Sequence, residues 1–178
     1  MATAFITGAT GFIGSHLVDE LLKKDYKIKC LIRKNSSKKW LEGKPVEYIE
    51  GDLFTQSVLE KALSGVDYVY HVGGVTFAKK KEEFYRGNVE ATKSLLDACY
   101  RFNPGVKKFV HVSSQAAVGP SFDGKPIDES RDYHPLTTYG RSKVEAEKAV
   151  IEYFDKIKCT VVRPPAVYGP RDYAIYEY

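Results

Sequence analysis

Thr3-Ala4-Phe5-Ile6-Thr7-Gly8-Ala9-Thr10-Gly11-Phe12-Ile13-Gly14-Ser15-His16-Leu17-Val18 opens the chain almost at its first residue. An apolar run suited to a buried strand meets three glycines spaced three apart. The apolar period then changes, and Leu17, Val18, Leu21 and Leu22 fall on one face of a helix. The stretch therefore reads as strand, tight turn and helix. At a helix start the first N–H groups are unpaired and the helix dipole adds partial positive charge, so such a turn suits a bound diphosphate. Gly8 permits the turn, Gly11 lets a pyrophosphate approach the backbone, and Gly14 lets the helix lie close on the sheet. Phe12 and Ile13 sit between them at the helix start, in the expected dinucleotide seat. The first glycine interval is one residue longer than in the commoner dinucleotide fingerprint. A purely structural turn also uses glycine, and it is the placement after a strand and before a helix that favours dinucleotide binding.

Working outward, the same alternation repeats. Apolar runs suited to strands occur at about 3–7, 27–32, 46–50, 67–72, 107–112 and 158–163, and helical patterns at about 12–24, 56–64, 82–102 and 138–155. Near-continuous apolar strands separated by helices imply a parallel sheet covered on both faces. Right-handed crossovers then give an α/β, doubly wound, Rossmann-like sheet of order 3-2-1-4-5-6, with ligands at the carboxyl ends of the strands. The irregular stretch from Gly119 to Thr137 is long enough to be a functional loop.

Length and composition narrow the classes. At 178 residues the chain is one domain able to bury a core. No run reaches the roughly 20 apolar residues of a membrane span, and no basic-then-apolar leader opens the chain. Cys30, Cys99 and Cys159 are widely spaced and odd in number. They read as small core residues in a reducing, cytoplasmic setting, without a disulfide framework. The four histidines lack ligand spacing, so no metal site is expected. The net charge of +4 is gathered at Lys79-Lys80-Lys81 and around Arg33, with no groove-reading element that would make a nucleic-acid face.

Several residues carry chemistry. At the end of the second strand an acidic residue would select NAD, but this chain places Arg33 there, followed by Lys34, Asn35, Ser36 and Ser37. A 2′-phosphate would find charge-assisted partners, so NADP is favoured over NAD. Asp52, with Leu53 beside it, follows the third strand and either meets the adenine amine or caps the next helix. Asn88 lies inside a helical pattern, where asparagine is intrinsically poor, and is expected to bridge backbone or water near the cofactor. Tyr139 and Lys143 are four apart and share a helix face. An ammonium close to a phenol favours phenolate and lowers its pKa, each unit being worth about 1.4 kcal/mol. Ser113-Ser114, after the fifth strand, offers a hydroxyl to orient a substrate oxygen.

The ordered set Thr7-Gly8-x-x-Gly11-x-x-Gly14, Gly51-Asp52-Leu53, Asn88-Val89-x-x-Thr92, Ser113-Ser114, Tyr139-x-x-x-Lys143 and Arg163-Pro164-Pro165-x-Val167-Tyr168-Gly169-Pro170 resembles the extended short-chain dehydrogenase/reductase family, in its NAD(P)-dependent epimerase/dehydratase branch. The resemblance implies Tyr139 as general acid/base and Lys143 as ligand of the nicotinamide ribose and tuner of Tyr139. It implies Ser114 as the group polarising the substrate oxygen, and Pro164 beside the nicotinamide. It makes a nucleotide-sugar the leading substrate, with an NADPH-dependent reduction of a dihydroflavonol-type carbonyl as the alternative and a non-catalytic dinucleotide-binding fragment as the third reading. It implies a homodimer through the helices at about 82–102 and 138–155. Gly73-Gly74 stands where alanines are usual, a change expected to be harmless. The family's C-terminal substrate domain is absent from residues 1–178. The aromatic tail Tyr173 to Tyr178 is therefore expected to have nothing to pack on, leaving apolar surface that promotes self-association and leaves the fragment inactive alone.

Overall fold

The computed structural model describes residues 1–173. Six strands, β1 (Thr3–Thr7), β2 (Lys27–Ile32), β3 (Val46–Glu50), β4 (Tyr68–His71), β5 (Lys108–Val112) and β6 (Cys159–Val162), form one parallel sheet in the order β3-β2-β1-β4-β5-β6. This is the doubly wound order that the alternation of apolar runs implied. Its direction reverses between β1 and β4, which leaves a crevice at their carboxyl ends. The helices are α1 (Phe12–Leu22), α2 (Gln56–Leu63), α3 (Lys81–Phe84), α4 (Ala91–Phe102) and α5 (Thr138–Ile151). The single helical pattern expected over 82–102 is in fact α3 and α4 joined through a π-helical segment, Tyr85–Glu90.

Strand residues alternate between two cores, which explains the near-continuous apolar runs. Phe5 joins Leu59, Leu95, Phe109 and Val150 on the side of α2, α4 and α5. Ala4 and Ile6 join Val18, Leu21, Ile28 and Leu41 on the side of α1. Each fully buried leucine or phenylalanine contributes roughly 1.5–3 kcal/mol of transfer free energy. The link between β2 and β3 forms no helix, and buried Leu41 fills that side instead. Towards β6 the α1-side covering thins, and Val162 remains 43 % exposed.

Cys30 and Cys99 are buried, Cys159 is half-buried, and all three are free thiols. Burial pushes Cys30 up to about 12 and Cys159 to about 11, so both stay protonated near neutral pH. Among the described residues no helix is long and apolar enough to cross a membrane, and no cluster of His, Cys, Asp or Glu is arranged to hold a metal ion. The expectation of an unsupported tail fails for Tyr173. Its ring stacks on Trp40 with centroids 6.3 Å apart, and its hydroxyl accepts from Lys39 Nζ at 3.3 Å. The rest of that tail, residues 174–178, lies outside the described residues.

Candidate active site

The glycine turn is built by backbone contact. Gly8 has φ +72°, the left-handed region, and a Cβ there would lie 2.6 Å from the Gly73 nitrogen. The ends of β1 and β4 thus meet main chain to main chain. At Gly14 a Cβ would stand 2.1 Å from the Gly8 carbonyl oxygen. The tightness expected between helix and sheet is therefore between α1 and its own turn, a correction that follows from how sharply the chain reverses. Gly11 is the N-cap of α1, and its amide donates to Gly8 O at 3.0 Å. A Cβ at Gly11 would touch only Gly8 O, at 3.4 Å, and would fill open space above the turn. Among the described residues no side chain caps α1, and no acid stands in its first turn, so the helix dipole is left unanswered there. Phe12 is half-buried and Ile13 is exposed at this mouth. The cradle fits a diphosphate.

Around it, Arg33 follows β2 directly and is exposed. Its backbone is held in a turn, with Ser36 N donating to Arg33 O at 2.9 Å, and its guanidinium has no partner among the described residues. Asp52 does not cap α2, whose N-cap is Thr55 with no side-chain cap; it closes the turn that leads into that helix. Its Oδ1 accepts from Phe54 N at 2.8 Å and Thr55 Oγ1 at 3.0 Å, and the Phe54 amide holds its carboxyl below the usual range. Leu53 packs on the core and its carbonyl accepts from Ser94 Oγ.

Asn88 bridges backbone, as its place in a helical pattern suggested. It is buried in the π-helical segment, and its Oδ1 accepts from Val75 N at 2.7 Å. Its Nδ2 donates to Val75 O at 3.0 Å and to Ser142 Oγ at 2.9 Å. Both amide hydrogens are committed to protein, so none is left for a ligand. Gly74 makes this possible, since a Cβ there would lie 2.9 Å from Asn88 Oδ1. Of the glycine pair after β4, Gly74 is thus matched to Asn88 and Gly73 to the glycine turn, where sequence alone made both look incidental.

The acid/base candidates converge because α5 is seated on the segment after β5. Thr137 caps α5 by accepting from Gly140 N at 2.9 Å, and a Cβ at Gly140 would meet Ala116 O at 2.4 Å. Ala116 belongs to a short 3-10 turn, Gln115–Ala117, capped by Ser114 Oγ accepting from Ala116 N at 3.1 Å. This brings Tyr139 to Ser114. Burial raises the Tyr139 phenol above its ordinary value, opposed by the neighbouring Ser114 hydroxyl. Lys143 lies one turn further in, 4 % exposed, and its Nζ donates to Val112 O at 2.7 Å. Burial lowers it to about 8, with Glu147 acting in the other direction. In this arrangement desolvation of the phenol is the largest influence on Tyr139. Pro164 adjoins the same segment, its carbonyl accepting from Gln115 N at 2.9 Å.

Sequence reasoning missed Glu147. It is 1 % exposed and accepts from Ser113 Oγ, from Tyr133 Oη at 2.9 Å and from Arg163 Nη2 at 2.7 Å. The available signal was a carboxylate four residues after Lys143, on the face that Val144, Ala146 and Val150 mark as inward. Beside Ser114 opens a cavity of about 660 Å³, lined by Ala116, Pro120, Leu136, Pro165 and other uncharged residues. A second, of about 540 Å³, lies at the opposite end of the sheet, between Pro104–Lys107 and Phe154–Lys158, away from this chemistry.

Residues 4–176 match the NAD dependent epimerase/dehydratase family. The chain belongs to that family. Among relatives of this epimerase/dehydratase chain are "Sterol demethylase protein B" of Methylococcus capsulatus, 34 % identical over 96 % of this chain and 53 % of the relative, and the decarboxylating sterol-4-alpha-carboxylate 3-dehydrogenase of Bos taurus, 32 % identical over 94 % and 47 %. Among solved structures, the UDP-glucuronic acid 4-epimerase of Bacillus cereus, in complex with UDP-glucuronic acid and NAD, aligns with a TM-score of 0.81 at 27 % identity, over 95 % of this chain and 58 % of that one. The chain spans about half the length of the curated relatives it matches. Family membership makes the cofactor NAD(P), and the glycine cradle described above is where an epimerase/dehydratase chain of this build has room for it.

Proposed function

We propose that this chain is the cofactor-binding and acid/base part of an NAD(P)-dependent enzyme that moves hydride to or from a carbinol carbon. The reading is carried by one juxtaposition. The uncapped start of α1 and the Ser114–Tyr139 pair stand at the same carboxyl edge of the sheet. A bound nicotinamide would supply the hydride acceptor or donor. Tyr139 exchanges the proton of the reacting hydroxyl, Ser114 orients that oxygen, and Lys143 holds its positive charge next to the carboxyl end of β5. Gly8, Gly11, Phe12, Ile13 and Gly14 form the pyrophosphate seat, Pro164 borders the nicotinamide, and Arg33 gives the preference for NADP over NAD.

The nucleotide-sugar reading draws on the UDP-sugar epimerase neighbours, and the homodimer on the family resemblance. A second reading, reduction or oxidation of an apolar carbonyl or alcohol, is favoured by a specific observation: among the described residues, none that lines the cavity beside Ser114 is charged. The sterol dehydrogenase relatives point the same way. Fluorescence titration with NADPH and NADH tests the cofactor part. NADPH should bind more tightly, and Arg33→Asp should reverse the order, because a carboxylate repels the 2′-phosphate and accepts from ribose hydroxyls. A wild type that prefers NADH tenfold contradicts the role of Arg33, and a Gly11→Val variant with unchanged affinity removes the glycine turn from the site.

A further inference from the structure

A buried line of hydrogen bonds runs from the glycine turn to the helix that carries Tyr139. Thr7, the residue before Gly8, has its Oγ1 2.7 Å from His71 Nδ1. His71 Nε2 lies 3.0 Å from Thr92 Oγ1, and that hydroxyl donates to Asn88 O at 2.6 Å. From Asn88, Nδ2 donates to Ser142 Oγ at 2.9 Å, and the serine hydroxyl donates to Tyr139 O at 2.7 Å. All five side chains are 2 % exposed or less. At the near end Gly73 N donates to Thr7 Oγ1 at 3.1 Å, next to the backbone contact between Gly73 and Gly8.

The directions of these bonds are determined. Thr92 spends its hydrogen on Asn88 O, so its oxygen accepts from His71, and Nε2 carries the imidazole proton. Nδ1 is then bare and accepts from the Thr7 hydroxyl, whose oxygen remains free to accept from Gly73. Every hydroxyl donates once and accepts at least once, a satisfied buried network of the kind that specifies one arrangement. His111 supplies the contrast. It pairs with His71 in register on the neighbouring strand, its ring centroid is 5.4 Å away, and it is equally buried. Neither of its ring nitrogens has a hydrogen-bond partner among the described residues. Burial beside Lys143 keeps both imidazoles neutral, and only His71 is connected at both nitrogens.

We propose that His71 is a positioning residue. Locked as the neutral Nε2–H tautomer, it ties the glycine turn that seats the cofactor to the first turn of α5, so that the pyrophosphate site and Tyr139 keep a fixed register. The role rests on the functional reading above, but the tie itself belongs to the protein alone.

Imidazole ¹⁵N NMR on the protein tests it between pH 5 and 8. His71 should show a protonated Nε2 and a bare Nδ1 throughout, while His111 shows no such lock. Thr92→Val removes the acceptor of the Nε2 proton and should move the amide signals of Gly8 and Tyr139, at the two ends of the line. Thr92→Ser keeps the hydroxyl and should leave both in place. In NADPH titration the valine variant should bind about tenfold more weakly and the serine variant within twofold of wild type. Should Thr92→Val fail to fold, Ser142→Ala cuts the last bond and is read at Gly8. An averaged or Nδ1–H tautomer for His71, or a Thr92→Val variant with unmoved Gly8 and Tyr139 signals, overturns the proposal. A wild type that binds no NADPH indicts the cofactor reading instead, and the NMR arms then judge the tie without it.

Discussion

Removing Arg163 should be among the most costly single changes in this protein. Arg163 follows β6 directly and its Nε donates to both oxygens of Glu147 at 3.1 Å, with Nη2 adding a bond at 2.7 Å. The Glu147 side chain is 1 % exposed and that of Arg163 25 % exposed, so solvent screens the pair only from one side. In Arg163→Met the stem volume is largely kept and the charge is lost. Glu147 is left a buried carboxylate with only the hydroxyls of Ser113 and Tyr133. Breaking such a pair from one side costs about 3–5 kcal/mol, because the remaining charge is desolvated without compensation. At this chain length each kcal/mol lowers Tm by roughly 2–4 °C, so the fall should be about 6–20 °C. Adding Glu147→Gln should restore most of it, since an amide in that pocket accepts from one hydroxyl through its oxygen, donates to the other through its NH2 group and carries no charge. Thermal and urea unfolding followed by circular dichroism measure both variants. A single variant less than about 1 kcal/mol below wild type, or a double variant no better than the single, would refute the reasoning.

Three further outcomes follow from the same geometry. His71 has a folded-state pKa depressed to about 3 by burial, against an ordinary value of 6.5. The unfolded chain therefore binds the extra proton between those limits, stability falls as pH drops through that window, and by pH 4 the loss from His71 is about 3 kcal/mol, with His111 adding in the same direction. His71→Gln should flatten that part of the pH–stability curve, and an unchanged slope would show that the imidazole is already protonated in the folded protein. Gly14→Ala should destabilise by well over the roughly 0.5 kcal/mol of an ordinary surface change, because its Cβ would stand 2.1 Å from Gly8 O, and denaturant melts that match wild type would contradict the packing of α1 on its turn. In the active protein Tyr139→Phe should remove most turnover while NAD(P)H affinity stays within a few-fold, and near-normal turnover would dismiss Tyr139 as the acid/base.

Much of this architecture is legible in the chain itself. Strand and helix periods, the three glycines and the helix-face spacing of Tyr139 and Lys143 are local patterns, and local patterns survive without knowledge of what packs where. The strand order follows too, since right-handed crossovers leave few topologies for alternating apolar runs and helices. Tertiary structure decided the polar interior. Asn88 turned out to hold Val75 and Ser142, residues 13 and 54 positions away, because a π-helical segment buries it against the loop after β4. Gly8 needs no side chain partly because Gly73 lies against it, and Glu147 survives in the core only because Ser113, Tyr133 and Arg163 reach it from three other parts of the chain. Lys143 and Tyr139 share a helix face as their spacing required, but burial is the largest influence on the protonation of each, opposed by Glu147 at Lys143 and by Ser114 at Tyr139, and the Val112 carbonyl fixes where the ammonium points. Apolar burial is non-directional and writes itself as periodicity. A buried donor or acceptor must be met by a particular atom at a particular distance, and that partner is known only once the chain has folded around it.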